Sequence, residues 1–596
     1  MSLSLKPAPS RWQRLSSLEI PRSLRVLVRT RESGLVLLGG AIGALAGLVV
    51  AVMGWGVSQL HWILFAVPPG ERLSALMSLE PYSAVTVPLL GGLVFGLALM
   101  AVGRWRPARE VDPIEANALH GGRMSLVGSA SVALQTVWSS GVGASVGLEA
   151  GYTQLASGIA SWIGRGFRLH RRDLRVLVGC GAAGAISGAF GAPLGGAFYA
   201  FELVIGGYSI ASLAPVGLAA LVGYLVANLF DPMSLGIGTL YVSRVTGRDL
   251  VIASAVGLAA AGAGIALMRG VAVCESLLDR ITLPSFLRPA LGGLVVGSLA
   301  LITPQILSSG HGAIHLAAVL DRPLRDIAVL LFLKALASVV SLGTGFRGGL
   351  FFASLLMGAL GGLLFADALS AMWPVALALD PHIYAIIGMG ALSVSVIGGP
   401  LTMTFIALET TGDLWLTTAV LIAVIVSAQV TREMFGYSFA TWRFHLRGES
   451  IRSAADVGWL RELTVRRMMQ QEVRTVPAHT TVSRFRMVFP LGSTTQVVAL
   501  NEQKDYAGIV QVAEAHAPEL DETSTIRAIL HYPDTTLLPT MTVKEAVAVF
   551  DKAEAEALAV VQSPERRRVI GLLSESYALR RYAEELELRR KELIGE

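Results

Sequence analysis

Between about residues 34 and 447 the chain is a succession of apolar runs, and several of them are too short to cross a bilayer. A straight transmembrane helix needs roughly 20 residues. The runs at 34–66, 82–103, 210–230 and 249–275 are long enough, whereas those at 193–206, 399–411 and 434–446 are not. Gly191-Ala192-Pro193 and Gly398-Gly399-Pro400 mark breaks at the start of two short runs. Hydrocarbon offers no hydrogen bonds, so the open ends of a half-length helix must find partners inside the protein or in a cavity that it lines. The pattern predicts broken helices whose ends meet near the midplane, as in transporters and channels. With 53% hydrophobic and 15% charged residues, the chain is too apolar for a soluble enzyme. Its 64 glycines suit helices that pack closely.

Arg11, Arg14, Arg22, Arg25, Arg29 and Arg31 precede the first run. That run is too long for a signal-peptide core and has no small-residue cleavage site close behind it. The positive-inside rule then puts the basic segment 1–33 in the cytoplasm. The loop carrying Arg165, Arg168, Arg171, Arg172 and Arg175 is expected on the same side, as are Arg443 and Arg447. The expected location is a bacterial-type inner (plasma) membrane, crossed many times. The net charge of +5 is spread over loops and is no nucleic-acid footprint. Cys180 and Cys274 sit in apolar segments and read as small core residues. With no metal-ligand cluster, nucleophile–base set or phosphate loop in the sequence, the chain is not read as an enzyme.

Past about Ile451 the charge density rises and the long apolar runs end. A membrane domain over 34–447 and a linker over 448–463 are expected, then two α/β units over 464–524 and 525–596. Each unit opens with a short helix and continues through an extended segment, a helix and strands. The first runs from Thr464-Val465-Arg466 to Ile509-Val510-Gln511-Val512, and the second from Thr525-Ile526-Arg527 to Leu572-Leu573-Ser574. From Tyr577 the pattern is that of a charged helix.

Within the apolar region, Glu149 stands in Gly147-Leu148-Glu149-Ala150-Gly151-Tyr152-Thr153-Gln154. A carboxylate at membrane depth costs roughly 2.5–3.5 kcal/mol on insertion scales unless it faces water, an ion path or a partner. The surrounding glycines permit a broken helix and free N–H groups at a new helix start. A gate or proton acceptor on an ion path is the reading that fits.

Five segments in order now carry a resemblance. They are Gly147-Leu148-Glu149-Ala150-Gly151 with Gln154; Ala192-Pro193-Leu194 with Glu202; Gly349-Leu350-Phe351-Phe352-Ala353; Pro400-Leu401-Thr402 with Glu409-Thr410-Thr411-Gly412-Asp413; and Tyr437-Ser438. Together they resemble the CLC family of chloride channels and chloride/proton exchangers, and the tail resembles a tandem cystathionine-β-synthase (CBS) pair. The resemblance implies an all-α polytopic membrane domain of broken, tilted helices in an inverted repeat, followed by a cytoplasmic α/β CBS-pair domain. It implies a homodimer in a lipid bilayer, with chloride and, in exchangers, protons as the ions moved. The similar breaks before Glu202 and Glu409 point to the same duplication of two halves.

Half-helix N-termini attract anions through unpaired N–H groups and the positive dipole end. Gly147, Leu148, Ala150, Leu350 and Phe351 are therefore expected around the anion, with the hydroxyl of Tyr437 as a further donor. By resemblance Glu149 is the gate: ionised it competes with chloride for these amides, and protonated it swings away. Tyr437 alone would read as an interfacial anchor. Glu202, a secondary candidate, reads first as a structural acid paired with backbone or arginine. Glu409 and Asp413 read as helix-end or interface residues.

Three departures from the family pattern bear on mechanism. Arg109-Glu110-Val111-Asp112-Pro113 stands where the family has a serine-containing stretch. Glu110 falls at the serine's place, but a carboxylate aimed at the anion would repel it. Arg109 is thus the expected contributor to the anion site, against the bland reading of an arginine coating the vestibule. Asp112 before Pro113 reads as a helix N-cap. Leu203 stands where many exchangers carry a proton-transfer glutamate, which favours a channel. Ala353 and Ala150-Gly151 replace the family's proline-containing positions. A Glu149-gated chloride channel is the leading expectation. The alternatives are a chloride/proton antiporter with another proton route and an anion-sensing regulatory membrane protein. In the tail, Ser574-Glu575-Ser576-Tyr577 lacks the acid that holds a ribose, and Gln511-Val512-Ala513-Glu514 lacks the hydroxyl. A bound nucleotide is weighed there against a structural or dimer-stabilising role, which is preferred.

Overall fold

The structure, a computed structural model, describes residues 32–68, 70–105, 110–230, 244–281, 283–313, 323–372, 379–436, 438, 464–581 and 584, with a few positions between 21 and 28. The chain divides into two compact units, residues 1–456 and 457–596.

The first unit is helical. Its opening half comprises α1 (Glu32–Phe65), α2 (Pro81–Trp105), α3 (Pro113–Leu119), α4 (Leu126–Gly141), α5 (Glu149–Gly166) and α6 (Arg171–Phe190). Then come α7 (Pro193–Tyr199), a π-helical turn (Ala200–Ile205) and α8 (Ile210–Phe230). The second half holds α9 (Gly247–Arg280), α10 (Arg288–Ala300), α11 (Leu324–Gly343) and α12 (Phe351–Met372), then α13 (Pro381–Ile397), α14 (Pro400–Thr411) and α15 (Leu414–Met434). Among the described residues, eight helices are long and apolar enough to cross a membrane: α1, α2, α6, α8, α9, α11, α12 and α15.

Small residues set the packing. The middle of α6 reads Gly179-Cys180-Gly181-Ala182-Ala183-Gly184-Ala185, and all seven are buried. A Cβ on Gly223 of α8 would lie 2.6 Å from the Cα of Gly184, so these two backbones touch directly. α6 stops at Gly191, whose φ of 66° is the left-handed cap conformation, and Pro193 then occupies the first turn of α7. In the second half Gly399, φ 71°, precedes Pro400 at the start of α14.

The two halves interlock by hydrogen bonds that repeat with the halves exchanged. Gly147 donates to the carbonyl of Gly349 at 2.9 Å, and Gly349 to that of Gly147 at 3.1 Å. The Ser145 N–H donates to Ser341 Oγ at 2.9 Å, and the Arg347 N–H to Ser139 Oγ at 3.1 Å. The Glu409 carboxylate accepts from the N–H groups of Leu194 and Gly195 at the start of α7. Glu202 does the same for Leu401 and Thr402 at the start of α14. The duplication hinted at by the two Pro-Leu…Glu segments is thus physical: each half caps the other's broken helix.

The second unit mixes short helices and strands. Its elements are α16 (Val465–Met468), β1 (Thr475–Pro477), α17 (Val482–Val488), β2 (Gln496–Leu500), β3 (Tyr506–Gln511), α18 (Val512–Ala515), α19 (Val543–Ala553), β4 (Ala557–Val561) and β5 (Val569–Ser574). β1 pairs parallel with β2, and β2 antiparallel with β3; β4 and β5 form a separate antiparallel pair. Val465 and Met468 of the opening helix pack with Val543, Phe550 and Leu573 of the second repeat. Reciprocally, Ile526 and Ile529, which open the second repeat, pack with Val482, Phe485 and Val510 of the first. The repeats that sequence separates at 524/525 therefore exchange their opening helices, and neither core closes alone.

Candidate functional site

α5 and α12 begin facing each other across the Gly147–Gly349 bridge. Glu149 is the first residue of α5 and is 5% exposed. Its side chain crosses to the other half: Oε1 accepts from the N–H of Phe351 at 2.5 Å and of Phe352 at 3.3 Å. Oε2 is buried and has no hydrogen-bond partner among the described residues. The carboxylate thus occupies the open N-terminus of α12, the position that a helix start offers to an anion. Room for it comes from two glycines. A Cβ on Gly147 would strike the carboxylate at 2.0 Å, and one on Gly349 would lie 2.7 Å from Oε1.

Aromatic rings fix the start of α12. Phe190, at the end of α6, packs on Phe351 and Phe352 with ring centroids 4.3 and 4.1 Å away. His311 lies over Phe352, centroids 3.4 Å apart. Tyr199, the last residue of α7, is 6.1 Å from Phe351. Nearby, Thr153 Oγ1 donates to the Glu149 carbonyl at 2.9 Å.

Two cavities flank this point. One of about 180 Å³ is bounded by Leu148 and Phe352, with His61, Arg72, Ser309 and His311 in its wall. The other, about 170 Å³, is bounded by Glu149 and Phe351, with Glu110, Asp112, Tyr199 and Arg347. Consecutive residues thus face opposite spaces, and the pairs Leu148–Glu149 and Phe351–Phe352 form the septum between them. A carboxylate seated on the α12 amides closes that septum. A monovalent anion and the carboxylate would compete for the same donors.

Of the expected anion donors, Phe351 presents its N–H at the site, whereas Gly147 gives its own to Gly349. Leu148 is the N-cap residue of α5, Ala150 lies in its first turn, and Leu350 is fully buried beside them. Arg109 and Tyr437 lie outside the described residues. Glu110 lines the second cavity. Its carboxylate packs against Gly128 in the first turn of α4, where any Cβ would collide with it. A helix N-terminus favours a negative charge there. Asp112 caps α3, its Oδ1 accepting from the Ile114 N–H at 2.7 Å, with Pro113 at the first helical position. Leu203 is in the wall of the second cavity. Both oxygens of Glu202 are taken by α14, with the Thr402 hydroxyl adding a third bond at 2.7 Å.

Three residues near the septum were not singled out from sequence. Lys334 is 0% exposed in α11, and its Nζ donates to the carbonyls of Ile306 and Ser308 at 2.9 and 2.8 Å. It is close enough for its charge to act on Glu149. A lone lysine in an apolar run is the same signal that marked Glu149. Arg347, just before Gly348-Gly349, carried a similar signal. Tyr199 carried none, because one aromatic residue in an apolar half-helix is unremarkable in sequence.

A model of the voltage-gated chloride channel family matches residues 91–432. A putative chloride channel protein, ClcB-like, of Ralstonia nicotianae is 33% identical over 389 residues, covering 63% of this chain and 88% of that protein. Among solved structures, a slow cyanobacterial Cl−/H+ antiporter superposes with a TM-score of 0.60 at 19% identity, covering 69% of this chain and 97% of that one. A eukaryotic CLC transporter gives 0.58 at 17% identity and covers 93% of this chain and 98% of that one. At these identities the structures speak for the fold.

Proposed function

The chain belongs to the voltage-gated chloride channel (CLC) family, whose members carry chloride across membranes, and we propose that here Glu149 gates chloride passage as in a channel. The observation that carries this reading is the carboxylate of Glu149 on the N–H groups of Phe351 and Phe352, between two cavities. Phe351, Leu350, Leu148 and Ala150 surround the anion position once the carboxylate leaves, with Tyr437 and Arg109 as further contributors. Two features favour a channel over an exchanger. Leu203 cannot carry a proton, and the carboxylate of Glu202 is saturated as a helix cap.

The basic N-terminal segment puts the N-terminus and the tail in the cytoplasm. The second cavity then opens inward and the first outward. The working form is a homodimer. α7 and α14 are too short to span, and Leu194, whose N–H is capped by Glu409, is 46% exposed. Polar helix ends at membrane depth need protein cover, which a second copy of this face supplies. In the tail, the exchanged opening helices and the repeated strand pairs support a CBS pair acting as a structural element.

The test is chloride efflux and external pH recorded together from liposomes, for wild type and Glu149→Gln. Chloride efflux without proton uptake, faster in Glu149→Gln, is expected. Stoichiometric proton uptake lost in Glu149→Gln would replace the channel with an exchanger. Equal efflux in both proteins would remove Glu149 as the gate.

A further inference from the structure

The cavity on the outer side of the septum is built from buried polar side chains that gating by Glu149 does not use. His61 is 7% exposed, Ser308 5% and Ser309 9%, far from what lipid-facing or loop positions require. Ser308 Oγ bonds Ser140 Oγ at 2.8 Å, and Ser309 Oγ bonds His311 Nδ1 at 3.1 Å. His61 Nε2 lies 3.1 Å from the Ser140 carbonyl. A carbonyl only accepts, so that nitrogen carries the proton and the neutral ring leaves Nδ1 bare. The charged groups in the wall are Arg72 and Glu71. Directly behind Ser308, the ammonium of Lys334 is held by the Ser308 and Ile306 carbonyls. Arg72 brings a guanidinium into a partly enclosed space where charge is poorly screened, and the amine of Lys334 stands behind it. About 180 Å³ holds a halide with several waters, since one water takes roughly 30 Å³.

We propose that this outer cavity is a loading site for a monovalent anion, distinct from the amides of Phe351 and Phe352. Arg72 supplies the charge, Ser308 and Ser309 the hydroxyl donors, and Lys334 the background field. His311 ties the site to the gate, because it rests on Phe352, whose N–H holds Glu149. An anion arriving from outside is thereby concentrated one septum away from the position that it must win from the carboxylate. The proposal rests on the reading of Glu149 as a chloride gate.

Bromide-soaked crystals of the full chain carrying Glu149→Gln test both ideas by anomalous scattering. Two peaks are expected, one at the Phe351 and Phe352 amides and one beside Arg72. The second is lost in Arg72→Gln and kept in Arg72→Lys. A peak at the amides alone overturns the loading site and leaves the gate standing; no peak at either place overturns both. In liposomes, Arg72→Gln should raise the half-saturating external chloride concentration about tenfold, as expected for one charge-assisted hydrogen bond, without moving the internal one. An unmoved external value also overturns the site.

Discussion

Replacing Glu202 by Gln separates a structural acid from a proton carrier. The carboxylate takes three bonds from the start of α14: Leu401 N–H at 3.0 Å, Thr402 N–H at 2.9 Å and Thr402 Oγ1 at 2.7 Å. Glutamine keeps one acceptor oxygen and turns an NH₂ toward the other donors. At least one backbone N–H then loses its partner, and the bonds that remain lose the anion's charge. Hydrogen bonds to charged groups contribute about 1.5–3 kcal/mol each. The site is only partly buried, so the lower end applies, and a loss of roughly 2–4 kcal/mol is expected. Thr402→Val removes one bond and should cost about 1 kcal/mol. The assay is thermal unfolding of the detergent-solubilised protein, run beside liposome flux. A clear drop in the midpoint for Glu202→Gln, a smaller one for Thr402→Val, and unchanged proton movement are expected. An unchanged midpoint with altered proton movement would refute the reasoning and make Glu202 a proton carrier.

Two further outcomes follow from the same contacts. Gly349→Ala places a Cβ 2.7 Å from Glu149 Oε1, so it should unseat the carboxylate and raise chloride efflux toward the Glu149→Gln level; unchanged efflux would show that the carboxylate is not held there. Trp415, 63% exposed in the first turn of α15, follows directly on α14, whose ends the second copy is proposed to cover. Trp415→Arg should shift the particle from dimer to monomer in light scattering, and a wild type that is already monomeric would remove the homodimer.

The architecture was legible where it depends on local pattern. Runs too short to span, punctuated by Gly-Pro breaks, announced α7 and α14, and a carboxylate among glycines announced Glu149. Asp112-Pro113 announced the cap of α3. What sequence withheld is pairing across distance. Nothing near Glu202 says that its partners are Leu401 and Thr402, because a helix start accepts any well-placed carboxylate. The exchange of Val465–Met468 and Ile526–Ile529 between the tail repeats was hidden for the same reason: an apolar face fixes that a helix is buried, not against which core. The seat of Glu110 against the first turn of α4 was hidden in the same way, because Gly128 lies far along the chain from it.

Placing the acids in this way bears on how ions are coupled. An exchanger needs a group that takes a proton from the inner side and delivers it to the gate. In the second cavity, Glu110 is held against the first turn of α4, and Asp112 caps α3. Thr153 Oγ1 donates to the Glu149 carbonyl. Leu203 fills the wall between them and Glu202 is committed to α14. Among the described residues, Asp112 and Glu202 are each engaged in holding a helix start. Moving either would uncap the helix that it holds. Glu149 instead has one buried oxygen without a hydrogen-bond partner among the described residues and one seated on the open start of α12. On the channel reading proposed above, Glu149 opens and closes the anion path without enforcing a fixed ratio of protons to chloride.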